Sequence, residues 1–184
     1  MKKVILIVLS ILSIIFQYSC MPKVPTTIYS ITLYKVNNVY QDSSLAVNAF
    51  QDSLVSIQFL PKHNQIEFTL NNTSSKTLKI IWDETTFVNE FGEAGRIMHS
   101  GVKFNERNNS QPASVVPPGT KITDLVAPTD KVYMGAYGWS QDFIFNKSVN
   151  EGIIKVVMPI EIDGSIKSIY TFDFRTAHSQ KESK

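Results

Sequence analysis

The strongest constraint on how this chain folds lies near its end. Ile154, Val156, Met158, Ile160 and Ile162 alternate up to Asp163-Gly164, and Ile166, Tyr170, Phe172 and Phe174 continue on the far side. A period of two places one set of side chains on one face of a strand. Asp-Gly between two such runs favours a type I′ turn, whose twist suits a hairpin. An antiparallel hairpin is therefore predicted here. Pro159 falls on the face opposite the apolar series and cannot donate a ladder hydrogen bond, so it is expected at an edge or a bulge.

The same period recurs earlier. Val55, Ile57 and Phe59 share one face and Ile66, Phe68 and Leu70 another, with Pro61-Lys62-His63-Asn64 as the turn between them, which predicts a hairpin over 54–60 and 65–71. Asn72-Thr73-Ser74-Ser75 makes a second turn into Leu78, Ile80 and Trp82, so three consecutive antiparallel strands are expected. The region 91–152 is rich in Gly, Asn and Pro, with Pro117-Pro118-Gly119 as its sharpest turn and short strands expected at Val115-Val116, Ile122 to Val126 and Lys131 to Met134. No segment carries a helical period beyond about two turns. Roughly six to nine short strands separated by turns point to an all-β chain, a sandwich of two antiparallel sheets with a barrel as second choice.

The start of the chain reads differently. Met1-Lys2-Lys3 is followed by an apolar run from Val4 to Phe16, broken only by Ser10 and Ser13, and then Gln17-Tyr18-Ser19-Cys20. A short basic region, an apolar stretch and a small residue before a cut site make a secretory signal. The run is shorter than the roughly 20 residues a spanning helix needs. Cleavage after Ser19 would leave Cys20, the only cysteine, as the first residue. This resembles the bacterial lipoprotein signal, in which that thiol receives a diacylglyceryl group, although Gln17-Tyr18 departs from the usual pattern. Two or more acyl chains anchor a protein stably where one does not. The expected organisation is a signal peptide at 1–19, a lipidated tether at 20–27 containing Pro22 and Pro25, a β-sandwich domain at 28–176 and a polar tail at 177–184. The resemblance implies a bacterial envelope address. Met21-Pro22-Lys23 lacks the acidic residues associated with surface export, which favours the periplasmic face of the outer membrane.

Charge narrows the partners. The chain has 18 Lys plus Arg against 16 Asp plus Glu, and loss of Lys2 and Lys3 would leave the two balanced. A balanced domain has no electrostatic footprint for nucleic acid.

Leu70-Asn71-Asn72-Thr73-Ser74, Ile80-Ile81-Trp82-Asp83, the Pro-Pro-Gly turn and the closing Asp-Gly hairpin resemble immunoglobulin-like domains of small envelope lipoproteins from Bacteroidetes. The resemblance spans roughly 50–175. It implies an antiparallel immunoglobulin-like β-sandwich and transfers no catalytic residue. The cysteine pair of antibody domains is missing.

The chemistry-bearing residues are sparse. His63 falls in a predicted turn, His99 in Arg96-Ile97-Met98-His99-Ser100, and His178 in the tail; no two are spaced as metal ligands. A structural role is expected for His99. Asp83-Glu84 would point to opposite faces of a strand, so solvated acids at a strand end are the expected reading. No nucleophile elbow, phosphate loop or dinucleotide fingerprint is present. No metal or cofactor is expected, and the chain reads as a non-enzyme. The most unusual segment is Tyr133 to Phe143, where Tyr133, Tyr137 and Trp139 stand among glycines. Burial statistics favour Tyr137 and Trp139 folding back to cap one end of the domain. The alternative is that the three present a stacking surface for a glycan or an envelope protein. The expected function is an envelope binding or scaffold module, with a glycan-binding module or a structural accessory of a secretion or assembly machine as alternatives.

Overall fold

The computed structural model describes residues 26–41 and 47–181. The chain forms two compact units, one of Met1–Ile28 with Ser179–Lys184 and one of Tyr29–His178.

The fold is all-β and antiparallel. In chain order the strands are β1 (Thr26–Val36), β2 (Val39–Tyr40), β3 (Ala49–Gln51), β4 (Val55–Pro61), β5 (Ile66–Asn72), β6 (Leu78–Ile80) and β7 (Thr86–Val88). They continue as β8 (Ala94–Met98), β9 (Ser114–Val116), β10 (Lys121–Pro128), β11 (Val132–Gly135), β12 (Gly138–Gln141), β13 (Glu151–Ile162) and β14 (Ile166–Lys181). Among the described residues, helical structure is confined to three-residue 3₁₀ turns at Trp82–Glu84, Phe104–Glu106 and Thr129–Lys131. No helix among the described residues is long and apolar enough to cross a membrane.

Most strands lie on one hydrogen-bonded path, β2-β1-β14-β13-β7-β8-β10-β5-β4-β3. The path turns over at β8, whose first half pairs with β7 (Val88↔Ala94) and whose second half pairs with β10 (Ala127↔Met98). The two faces then meet through aromatic side chains. Phe59 of β4 lies 4.9 Å from Phe172 and 5.2 Å from Phe174 of β14, ring centre to ring centre. Phe68, Trp82, Tyr170 and the alternating series of β13 complete this core. The arrangement fits a β-sandwich.

The ends of the path also meet, through one residue instead of a ladder. Asn48, in the left-handed region at φ 61°, accepts Leu33 N of β1 on its side-chain Oδ1 (2.7 Å) and Phe59 N of β4 on its carbonyl (2.8 Å).

Both predicted hairpins form. β4 and β5 pair from Val55↔Asn72 to Pro61↔Ile66. β13 and β14 pair from Glu151↔Ala177 to Ile162↔Ile166, around Asp163 and Gly164 at φ 49° and 77°, the two positive values a type I′ turn demands. Fourteen strands occur among the described residues, more than the six to nine expected, because two- and three-residue strands carry no legible period.

Five expectations are corrected. The turn at 72–75 does not return β6 to β5; β6 pairs with β9 and β13, and β5 takes β10 as its second neighbour. Asn72 forces this crossing. It is 2% exposed, donates Nδ2 to Lys76 O (2.7 Å) and Val116 O (2.8 Å), and accepts Ser74 N (3.0 Å), so its side chain pins a corner where the chain changes sheets. Trp82 begins a 3₁₀ turn and is not on a strand. Pro159 sits inside β13 with strands on both sides: β7 covers residues 155–157 and β6 covers 160–162, and the proline falls in the gap between them, its carbonyl accepting Ile81 N (3.1 Å). Finally, β14 runs past Thr176, so Ala177 pairs with Glu151 and His178 N donates to Asn150 O (3.1 Å) where a polar tail was expected. Thr26 and Thr27 likewise belong to β1 and not to a tether.

Candidate functional site

The tight turn between β4 and β5 closes with Lys62 N donating to Gln65 O (2.8 Å), which presents Lys62, His63 and Asn64 outward from one end of the domain. The loop after β12 comes to the same place. Ile144 and Phe145 bury themselves in the core at 0% and 7% exposure, and Ile144 N donates to His63 O (2.8 Å). Between them the chain leaves a cleft of about 560 Å³ lined by Tyr29, Ile31, Pro61, Lys62, His63, Asn64, Gln141 and Phe143.

Aromatic rings build its walls. Tyr29 of β1 meets His63 at 5.8 Å and 74°, Phe143 at 5.4 Å and 79°, and His178 at 5.8 Å and 70°, all edge to face. Such pairs hold ring orientations as well as burying area. Amides bridge the rim: Asn64 Nδ2 donates to Gln141 Oε1 (2.7 Å). Two lysines border the cleft and both have partners. Lys62 Nζ donates to Glu67 Oε1 (2.6 Å), and this bond, with a second from Gln65, holds the Glu67 carboxyl below its ordinary value against the opposing effect of burial. Lys147 Nζ lies 4.5 Å from the centre of the Phe143 ring. The result is a neutral, half-apolar cleft with polar side chains on its rim, the composition of a small-molecule site.

Sequence reasoning misses this cleft because its residues come from positions 29, 31, 61–64, 141 and 143, in strands, a turn and a loop that only the sheet order brings together. No local pattern joins them. His63 in a Pro-containing turn and the isolated Phe143 are the only signals, and each is commonplace alone.

The aromatics singled out in the sequence lie elsewhere. Tyr133, Tyr137 and Trp139 belong to the two-stranded β11–β12 ribbon, where Met134 pairs with Trp139 and Tyr133 with Ser140. Directly paired residues share a face, so Tyr133 and Trp139 occupy opposite faces and do not form one stacking surface. Nor do they cap the domain: Tyr137 is fully exposed at the tip, Tyr133 48% exposed and Trp139 52%, the indole resting on Phe104 at 3.5 Å. Val132, on the face that Trp139 shares, packs with Met98 and Ala127 and holds the ribbon's base. Cys20 lies outside the described residues.

The other candidates are packing devices. The His99 ring lies parallel on Trp82 at 4.3 Å, and its Nδ1 is 3.3 Å from Asp124 Oδ2. Asp124 Oδ1 accepts Ser100 N and Leu125 N at 2.8 Å each, and Trp82 Nε1 donates to Ser114 Oγ (2.8 Å). A second cleft of about 330 Å³ opens beside His99, but the Ser110 hydroxyl lining it donates to Asp83 instead of facing the imidazole as a nucleophile would. Asp83 is more than a solvated acid. The Ser110 bond, with Gln111 N (3.0 Å) and Arg96, holds its carboxyl below the ordinary value, so it fastens the 108–111 segment to the domain. Glu84 pairs with Lys167 at 2.7 Å. Among the described residues no group of three or more His, Cys, Asp or Glu side chains is placed to hold a metal.

No family model matches this chain, and no curated protein matches it. Among solved structures, the crystal structure of Northeast Structural Genomics Consortium target SoR45 is similar at 11% identity, over 83% of this chain and 86% of that one, with a TM-score of 0.34.

Proposed function

We propose that this protein is an envelope lipoprotein, held by acyl chains on Cys20 at the periplasmic face of the outer membrane, whose immunoglobulin-like sandwich domain is a non-enzymatic binding module. One observation carries the binding half: the 560 Å³ cleft at Tyr29, His63 and Phe143, where aromatic walls and side-chain amides converge without an activated nucleophile or acid–base pair among the described residues. The signal pattern before Cys20 supports the anchor.

Two measurements test the two halves. Intact mass and membrane fractionation should give a mature species heavier than the Cys20-to-Lys184 polypeptide by two or three acyl chains, lost from the membrane in Cys20→Ala; a soluble, unmodified species sinks the anchor. For the cleft, a thermal-shift panel of saccharides, peptides and nucleotides should contain a class that stabilises the protein and no longer does so in Gln141→Ala. Silence across all classes removes the binding reading.

The β11–β12 ribbon favours a second reading, a structural accessory of an envelope assembly. Tyr137 and Met134, at full and 60% exposure, offer an apolar anchor of the kind that dominates protein interfaces. A photo-cross-linker at position 137 that captures no defined envelope protein in cells would count against it.

A further inference from the structure

The chemistry of the cleft goes further than its existence. Asn64 and Gln141 each carry one carbonyl oxygen and one NH₂ group. Their mutual bond uses the Asn64 NH₂ and the Gln141 oxygen, and neither the Asn64 oxygen nor the Gln141 NH₂ has another partner among the described residues. The rim therefore offers an acceptor and a donor side by side. Exchanging O and N in both amides leaves the same inventory, so the property does not depend on that assignment. A hydroxyl group is at once donor and acceptor, and two neighbouring hydroxyls on a ring would satisfy this pair.

The walls fit the rest of such a ring. Tyr29 meets His63 and Phe143 edge to face, His63 lies tilted on Phe143 at 46°, and the apolar C–H faces of a sugar pack on aromatic rings. Charge excludes the rivals. Lys62, on the cleft's lining, is paired with Glu67, Lys147 rests over the outer wall at Phe143, and no carboxylate lines the cleft, so a quaternary ammonium would lack a counter-charge and a phosphate would find no built cluster of cations. The volume, about 560 Å³, falls within the range of small-molecule sites and accommodates one or two sugar rings. The cleft is held open before any ligand arrives by the Ile144–His63 backbone bond and the buried Ile144 and Phe145, so little ordering opposes binding.

We infer that the cleft is a subsite for a neutral saccharide, with Tyr29, His63 and Phe143 as its stacking walls and the Asn64–Gln141 amide pair as the reader of adjacent hydroxyls. The inference rests on the reading of the domain as a binding module and names the ligand class of that same site. It also moves glycan recognition away from Tyr133, Tyr137 and Trp139.

The test uses the full-length protein in a detergent without a sugar headgroup, on an array of neutral hexose and N-acetylhexosamine oligosaccharides, followed by titration calorimetry with the strongest binder. Affinity should fall about tenfold or more in Gln141→Ala and in Phe143→Leu, and stay at the parent value in Trp139→Ala. Asn64→Leu, on the exposed turn, replaces Phe143→Leu if that variant does not fold. Saccharide binding that survives the cleft variants overturns the assignment. So does a cleft-dependent response to peptides or nucleotides with none to saccharides, which would leave the binding-module reading standing. No cleft-dependent response to any class removes both.

Discussion

Two hairpins of this protein use the same device at their tips and have opposite fates behind them. β13–β14 and β11–β12 both reverse with a glycine at positive φ, Gly164 at 77° and Gly138 at 115°. In the first, a twelve-residue strand lies against its partner and Tyr170, Phe172 and Phe174 are at most 2% exposed. In the second, four-residue strands form a sheet of their own and Tyr133, Tyr137 and Trp139 face solvent. An isolated two-stranded ribbon is marginal in water. The difference shows that aromatic content does not decide burial here; a second sheet to pack against does.

The contrast can be broken most forcefully at Phe172. It is fully buried between Tyr170 and Phe59, so Phe172→Ala should cost about 3–5 kcal/mol in urea unfolding. A loss below about 1 kcal/mol would mean that the two faces do not pack as described. Next comes Asn72→Ala, which strands the Lys76 and Val116 carbonyls at the sheet crossing and should cost about 1–3 kcal/mol.

A smaller effect is set by pH. Tyr170 donates its hydroxyl to Asp52 Oδ2 (2.7 Å), and burial first, then this bond and the Asp52 charge, push its pKa above the ordinary value of 10.0. The native state then keeps a proton that the unfolded chain releases, so stability is unaffected below about pH 10 and falls as pH rises from there toward the folded value. Urea midpoints at about pH 9 and about pH 11 should separate for the parent and much less for Tyr170→Phe. Equal separation would assign the alkaline loss to other groups.

Smallest are the ribbon substitutions. Trp139→Ala removes the stack on Phe104 but leaves Val132 in place, so the global cost should stay under about 1 kcal/mol while amide exchange in β11 and β12 accelerates. Tyr137→Ser should lie within about 0.5 kcal/mol of the parent. A large loss from either would show that the ribbon is part of the core after all.

Legibility in the sequence follows the same division. β4, β5, β13 and β14 can be read because each alternates long enough for one face to declare itself, and Asp163-Gly164 fixes the turn. The pairing of β6 cannot be read, because what decides it is a single buried amide at Asn72 whose partners include a carbonyl 44 residues away. Pro159 misleads for a related reason: a proline forbids a donor at one position, and a gap between two short neighbours satisfies that as well as an edge does. The exposed ribbon defeats residue statistics, since Tyr and Trp are usually buried and nothing local says that this pair of strands has no sheet behind it. The cleft is the least legible feature of all, for its members are assembled by the strand order.

Asn48 has a consequence of its own. Among the described residues it alone hydrogen-bonds both the Leu33 amide of β1 and the Phe59 amide of β4, where the neighbouring strands of the path share ladders. Since Phe59 N to Asn48 O continues the β3–β4 pairing, the Leu33 N to Asn48 Oδ1 bond is the one of the two that crosses the seam between β1 and β4, beside the Tyr29–His63 ring contact. Backbone pairing is therefore thinnest between β1 and β4, the strands that also carry Tyr29 and the turn to His63, and side-chain packing holds them together there. Slow widening of the cleft and exchange of the Leu33 amide would then be one motion.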